Sequence, residues 1–146
     1  MGVSTSASLL VIFVGVFVAL GTVYTAGSTA VDQVQDAEGD RLDRQHTIQR
    51  TAVTVTAAEW KSGTLTVRVN NTGSAALSVN GTDVLADGAY VSIDDFTATV
   101  DGEATDRWGL YEQLVLQTDS LGTAPDRVKV VTEVGVAGTA RVEVIG

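Results

Sequence analysis

The first thirty-one residues of this chain carry no charged side chain, and an apolar run of twenty residues, Ala7 to Ala26, lies inside them. At about 1.5 Å rise per residue, a helix of that length reaches roughly 30 Å, the thickness of a bilayer's hydrocarbon core. The run therefore predicts a membrane-anchor helix over residues 1–27, with Leu9, Leu10, Ile12, Phe13, Phe17 and Leu20 as its apolar bulk. Gly15 and Ala19 stand four apart and share one helix face. Small residues at that spacing let two membrane helices approach closely, which makes them helix-packing candidates.

Three readings compete for this start. A secretory signal has a basic n-region and a shorter apolar core; neither is present, although Ser28-Thr29-Ala30 offers small residues for cleavage. A filament subunit of the archaellin or pilin type also begins with such a helix, but its precursor carries a basic residue ahead of the run, and Met1 to Ser8 has none. A retained single-pass anchor is the expectation. Its N-terminus is placed in the cytoplasm and the long acidic remainder outside, since no Lys or Arg precedes the run and the first after it is Arg41. Met1-Gly2-Val3-Ser4-Thr5-Ser6 also fits the N-myristoylation pattern, where an acyl chain adds little beside a complete span.

All 18 acids and all nine bases lie from Asp32 onward, so the net charge of −9 belongs entirely to the chain beyond the apolar run. A domain this acidic repels phosphate backbones, which excludes nucleic acid as the expected partner. Asp outnumbers Glu twelve to six and Arg outnumbers Lys seven to two, a halophilic style of composition in which surface carboxylates maintain solubility. High salt then screens net charge within a few ångströms. Residues 28–50 are polar with sparse apolar points, and Asp40 and Arg44 stand four apart as a helical pair. Gly39 opposes helix by about 1 kcal/mol, so a frayed helical stalk continuing the anchor is expected.

From Thr51 the period changes to two. Val53 and Val55 alternate with threonines; Leu65, Val67 and Val69 alternate with Thr66 and Arg68; further runs follow at Leu77–Val79, Val84–Leu85, Tyr90–Ile93, Phe96–Val100, Leu114–Leu116, Val128–Val134 and Val142–Ile145. Alternation with β-branched residues marks half-buried strands. Ser62-Gly63, Asn71-Thr72-Gly73, Asn80-Gly81, Asp87-Gly88 and Asp101-Gly102 are turn formers between these runs. Residues 51–146 are thus expected to form an all-β, antiparallel, immunoglobulin-like sandwich of seven to nine strands outside the membrane.

Chemistry-bearing constellations are missing from the sequence. There is no cysteine, and the single histidine, His46, sits in the connector as a solvated residue. Asp94-Asp95 and Asp101-Gly102-Glu103 lack the spacing of a calcium loop, and neither a phosphate loop nor a Gly-x-Ser-x-Gly elbow occurs. No catalytic residue, metal or cofactor is expected, and the chain reads as a non-enzyme. Trp108, Tyr111, Arg107 and Tyr90 are the interaction candidates, because exposed aromatic and Arg side chains anchor protein contacts; the alternative for Trp108 is a cap on one end of the sandwich core. The stretch Arg107 to Tyr111 reads as a loop. Asn70 and Asn80 each open a glycosylation sequon at a predicted turn.

These parts resemble the F-type accessory protein of the archaeal flagellum, the archaellum, in salt-loving archaea. The resemblance rests on Met1-Gly2 followed by the apolar helix, on Asn70-Asn71-Thr72-Gly73-Ser74, on Trp108 followed by Glu112 and Leu114, and most on Ala124-Pro125-Asp126-Arg127-Val128-Lys129-Val130-Val131-Thr132-Glu133. Relatives tend to place Pro-Gly between the Trp and the Glu, where this chain has Leu110-Tyr111. The family implies a single-pass protein of the cell membrane whose sandwich binds surface-layer protein and fixes the motor's static part to the envelope. It also implies a homodimer and a G-type archaellum accessory protein as partner. The alternative is a minor archaellin-like or pilin-like filament subunit with its apolar helix in a fibre core.

Overall fold

The computed structural model describes the backbone of residues 2–146 and the side chains of residues 7–22 and 38–146. The chain divides into two compact units, residues 1–43 and residues 44–146. The long helix α1 spans Gly2–Arg50, so its last turns belong to the second unit. The helix runs through Gly39 without a break, since one glycine's cost of about 1 kcal/mol is smaller than the cooperative gain of propagating helix on both sides.

In the first unit the apolar side chains stand open. Leu9, Phe13 and Phe17 are 69%, 64% and 66% exposed. Among the described residues, no helix is long and apolar enough to cross a membrane. The described side chains of the expected span are those of residues 7–22. The rest of the expected span, residues 23–27, and the stalk residues 28–37 lie outside the described side chains, as does the Met1 to Ser6 pattern.

The second unit is built from eleven strands: β1 Val53–Lys61, β2 Thr64–Asn71, β3 Leu77–Ser78, β4 Asp83–Ala86, β5 Ala89–Val91, β6 Thr97–Val100, β7 Arg107–Trp108, β8 Gln113–Thr118, β9 Arg127–Val131, β10 Ala137–Arg141 and β11 Glu143–Val144. A 3-10 turn, Ile93–Asp95, links β5 to β6. One sheet has the order β11-β1-β2-β8-β6, the other β10-β9-β4-β5, and β3 pairs with β7 separately. The central order of each sheet, β1-β2-β8-β6 against β10-β9-β4-β5, follows the strand arrangement of immunoglobulin-type sandwiches.

One pair departs from the antiparallel expectation: β11 lies parallel to β1, with Glu59 opposite Glu143 and Trp60 opposite Val144. The reason is connectivity, because the chain reaches β11 from β10 of the opposite sheet and not through a hairpin. Three two-residue turns carry positive φ at both positions, Ser62-Gly63 (52° and 88°), Asp87-Gly88 (51° and 85°) and Asp101-Gly102 (49° and 89°). That is the type I′ geometry matching the twist of paired strands.

The core follows from the alternation. Along β2, Leu65, Val67, Val69 and Asn71 are buried while their neighbours stay half-exposed. Leu114 and Leu116 of β8 and Val128 and Val130 of β9 complete the layer between the sheets, all at 0% exposure. Each such side chain contributes about 1.5–3 kcal/mol relative to exposure. The sheets come closest where β10 meets β1: a Cβ on Gly138 would stand 3.1 Å from Val55 Cγ2.

Candidate functional site

The helix enters the sandwich through a set of backbone bonds that the sequence motif Asn70 to Ser74 explains. The N–H groups of Thr72 and Gly73 both donate to Ala52 O (2.8 and 3.0 Å), and those of Ser74 and Ala75 both donate to Arg50 O (2.8 and 3.2 Å). The approach is so close that a Cβ on Gly73 would stand 2.2 Å from Arg50 O, which only glycine avoids. Asn71 holds the loop shut. Its fully buried amide donates to Ala75 O (2.8 Å) and Trp108 O (3.2 Å), and its Oδ1 accepts from Gly73 N (3.1 Å). Its backbone also donates to Glu112 O and accepts from Tyr111 N.

Trp108 is corrected as a contact residue. It lies in β7, pairs with Leu77, is 0% exposed and donates its indole N–H to Glu112 O at 2.9 Å. The pairing with β3 turns the expected loop into a strand and carries the ring into the core. Glu112 closes the next turn by accepting from Gly109 N. Leu110 and Tyr111 are thereby held outward, 46% and 79% exposed. Tyr111 has a φ of +63°, at the third position of a turn closed by Glu112 N donating to Gly109 O. Turns with positive φ there take glycine by preference, and this chain places Tyr111 in that position.

The remaining candidates are dispersed. Arg107 is exposed beside Trp108, whereas Tyr90 (64% exposed) lies on the edge strand β5 of the other sheet. Asn70 is corrected from a turn to a strand residue: it sits in β2, and its Oδ1 accepts from Gln113 Nε2 at 3.0 Å. Asn80 is exposed in a turn, its N–H held by Asp106 Oδ1 at 2.8 Å, and the threonine of its sequon, Thr82, is fully buried. Gly15 has open space where a Cβ would stand, Ala19 is exposed, and the Phe13 and Phe17 rings lie 5.6 Å apart on the first unit. Nothing among the described residues covers the apolar side chains of Leu9, Leu10, Ile12 and Leu20, which are 62–69% exposed.

No group of three or more His, Cys, Asp or Glu among the described residues is placed to hold a metal ion, and every buried side-chain nitrogen or oxygen among them has a hydrogen-bond partner. A wide cleft of about 740 Å³ is lined by Asp87, Asp126, Arg127, Arg141 and Val142. Within it the Asp87 carboxylate accepts from the N–H groups of Asp126 and Arg127 at 2.9–3.1 Å, a bracing role.

No protein-family model matches this chain, and no curated protein matches it. Solved structures that resemble it include two from the archaellum of one organism. The archaellum periplasmic stator protein FlaG from Sulfolobus acidocaldarius does so with a TM-score of 0.41 and 14% identity, over 62% of this chain and 97% of that one. The complex of the archaellum periplasmic stator proteins FlaF and FlaG from the same organism gives 0.41 and 14%, over 60% and 85%. At that score and identity the likeness carries no functional argument.

Two features were not legible as sites in the sequence. Asn71 reads as a turn former and is a buried bracket. Arg127, Lys129 and Arg141 are not singled out together in the sequence, yet β9 and β10 bring them onto one face. The signal was the spacing of Arg127 and Lys129, two apart in a strand, which puts both on the same side.

Proposed function

We propose that this chain is a non-enzymatic accessory protein of an archaellum-type machine. Its apolar helix holds it in the cell membrane as a single-pass anchor, with the N-terminus cytoplasmic. Its sandwich stands outside and tethers the motor's static part to surface-layer protein, as a homodimer and with a G-type accessory partner, in a halophilic setting. The observation that carries the reading is the pairing of an uncovered apolar helix, exposed from Leu9 to Leu20, with a sandwich whose motif residues Asn71, Gly73 and Trp108 are spent on rigidity. An apolar surface of that kind requires cover, and a tether requires a stiff module and no chemistry. The sequence resemblance adds the machine and the F-type assignment.

A second reading starts from the same exposed apolar side chains, Leu9 to Leu20. These suit the core of a fibre, as in a minor archaellin-like or pilin-like subunit. Two measurements decide. Cosedimentation of the detergent-solubilised full chain with purified surface-layer protein in high salt is expected for the tether, and its absence refutes the tether. Intact mass of native protein is expected to show loss of no more than Met1; loss of a longer leader identifies the filament subunit.

A further inference from the structure

The outer face of the sheet β10-β9-β4-β5 concentrates positive charge on an acidic chain. Arg127 and Arg141 are direct cross-strand partners, and Thr139 is the partner of Lys129. All three cations are exposed. Like charges directly opposite one another on a sheet destabilise it, so this pairing works against the fold. The ion pair among the described residues is Arg68–Glu59, on the other sheet, so none of the three cations has a carboxylate within 4 Å although acids outnumber bases 18 to nine.

Asp87 and Asp126 line a cleft with Arg127 and Arg141, and Glu59 and Glu143 line a hollow with Arg141, yet none of them forms an ion pair with the three cations. Asp87 is committed to the amides of Asp126 and Arg127; Asp126 flanks Arg127 without an ion pair, and Asp83 lies at the other end of β4, opposite Val131. Arg127, Lys129, Leu85, Gly88 and Thr139 line a depression of about 210 Å³. A Cβ on Gly88 would meet nothing within 4 Å, so the depression is open. The Arg127–Arg141 pair lies toward the Glu59 end of β1, since Arg141 borders Ala57 to Glu59 whereas Gly138 borders Val53 and Val55.

We infer that this face docks clustered carboxylates of a partner protein, one of them entering the depression between Arg127 and Lys129 and another bridging Arg127 and Arg141. Guanidinium forks match carboxylates two bonds at a time, and Arg and Tyr (Tyr90 stands in the same cross-strand row as Lys129 and Leu85) are the usual centres of protein interfaces. A nucleic acid is disfavoured by the net charge of −9, which repels a long polyphosphate around so small a cationic face. The inference deepens the tether reading by giving its contact a chemistry, but it stands on charge and geometry alone.

The test uses the full chain in detergent at 1 M KCl, where a Debye length of about 3 Å removes long-range repulsion and leaves contact bonds. Poly-L-glutamate is the probe; dextran sulfate and anionic phosphatidylglycerol vesicles are the rival anions. Binding of poly-L-glutamate is expected, weakened at least tenfold in Lys129→Ala and in Arg141→Thr, with partial retention in Arg141→Lys. Because Arg141→Thr also removes a like-charge pair, its melting temperature is expected to rise while binding falls, which a merely structural arginine would not show. No binding, binding unchanged by these substitutions, or a preference for dextran sulfate or vesicles overturns the inference. Since the probe is not surface-layer protein, a positive result here beside failed cosedimentation would sink the tether and leave this face standing.

Discussion

Replacing Tyr111 by glycine and by alanine separates backbone strain from side-chain contact at the exposed turn. With φ at +63°, Tyr111 occupies the left-handed region, which costs an L-residue roughly 1–2 kcal/mol. The side chain returns little of this, since the residue is 79% exposed. About 45 Å² of contact remains for a residue that buries 150–250 Å² in full, worth on the order of 1 kcal/mol. Alanine forfeits that contact and keeps the strain, so Tyr111→Ala is expected to lose about 1 kcal/mol. Glycine forfeits the same contact but escapes the strain, less about 0.5–1 kcal/mol for its greater freedom when unfolded. The glycine variant should therefore exceed the alanine variant by about 0.5–1 kcal/mol, or about 3–8 °C in melting temperature for a domain near 100 residues. Tryptophan fluorescence is the suitable assay, because Trp60 and Trp108 both lie in the second unit and the long helix does not contribute. A glycine variant no more stable than the alanine variant would refute the strain argument.

Asn71→Ala removes three hydrogen bonds and leaves buried Trp108 O without its partner, so a loss of about 3 kcal/mol is expected in urea unfolding. Gly73→Ala places a methyl on Arg50 O and should cost more than about 2 kcal/mol, with amide exchange accelerating at Ser74 and Ala75 before the rest of the sandwich. Trp108→Phe keeps most of the core volume and loses the bond to Glu112 O; about 1–2 kcal/mol of stability should go, with partner binding unchanged in the surviving fold. Glu59→Gln breaks the exposed pair with Arg68 and should move the melting midpoint by no more than about 0.5 kcal/mol equivalent.

The strands that alternate strongly were readable from the chain: β1, β2 and β9 put valine or leucine inside and threonine or charge outside, and β8 puts Leu114 and Leu116 inside between glutamines and Val115. So were three tight turns, whereas Asn80-Gly81 offers the same pattern without positive φ, its Asn80 N–H being held by Asp106. β10 was not readable. Ala137-Gly138-Thr139-Ala140-Arg141 carries no apolar period, and it is a strand because small residues let it lie close against β1. β7 is two residues long and exists through a partner thirty residues away, Leu77, which local pattern cannot name. The same long-range pairing removed Trp108 from the surface. The parallel placement of β11 depends on which sheet the chain has just left, information that periodicity lacks. The candidate surface was half legible for a similar reason: Arg127 and Lys129 share a face by spacing, but Arg141 joins them by register.

The four backbone bonds from residues 72–75 to Arg50 and Ala52 leave the entrance to the sandwich without a swivel. Each of those two carbonyls is gripped from two consecutive amides, so rotation about the chain axis at that point would break the grip along with any bending. Within the second unit, residues 50–52 and the loop 72–75 therefore open together or not at all.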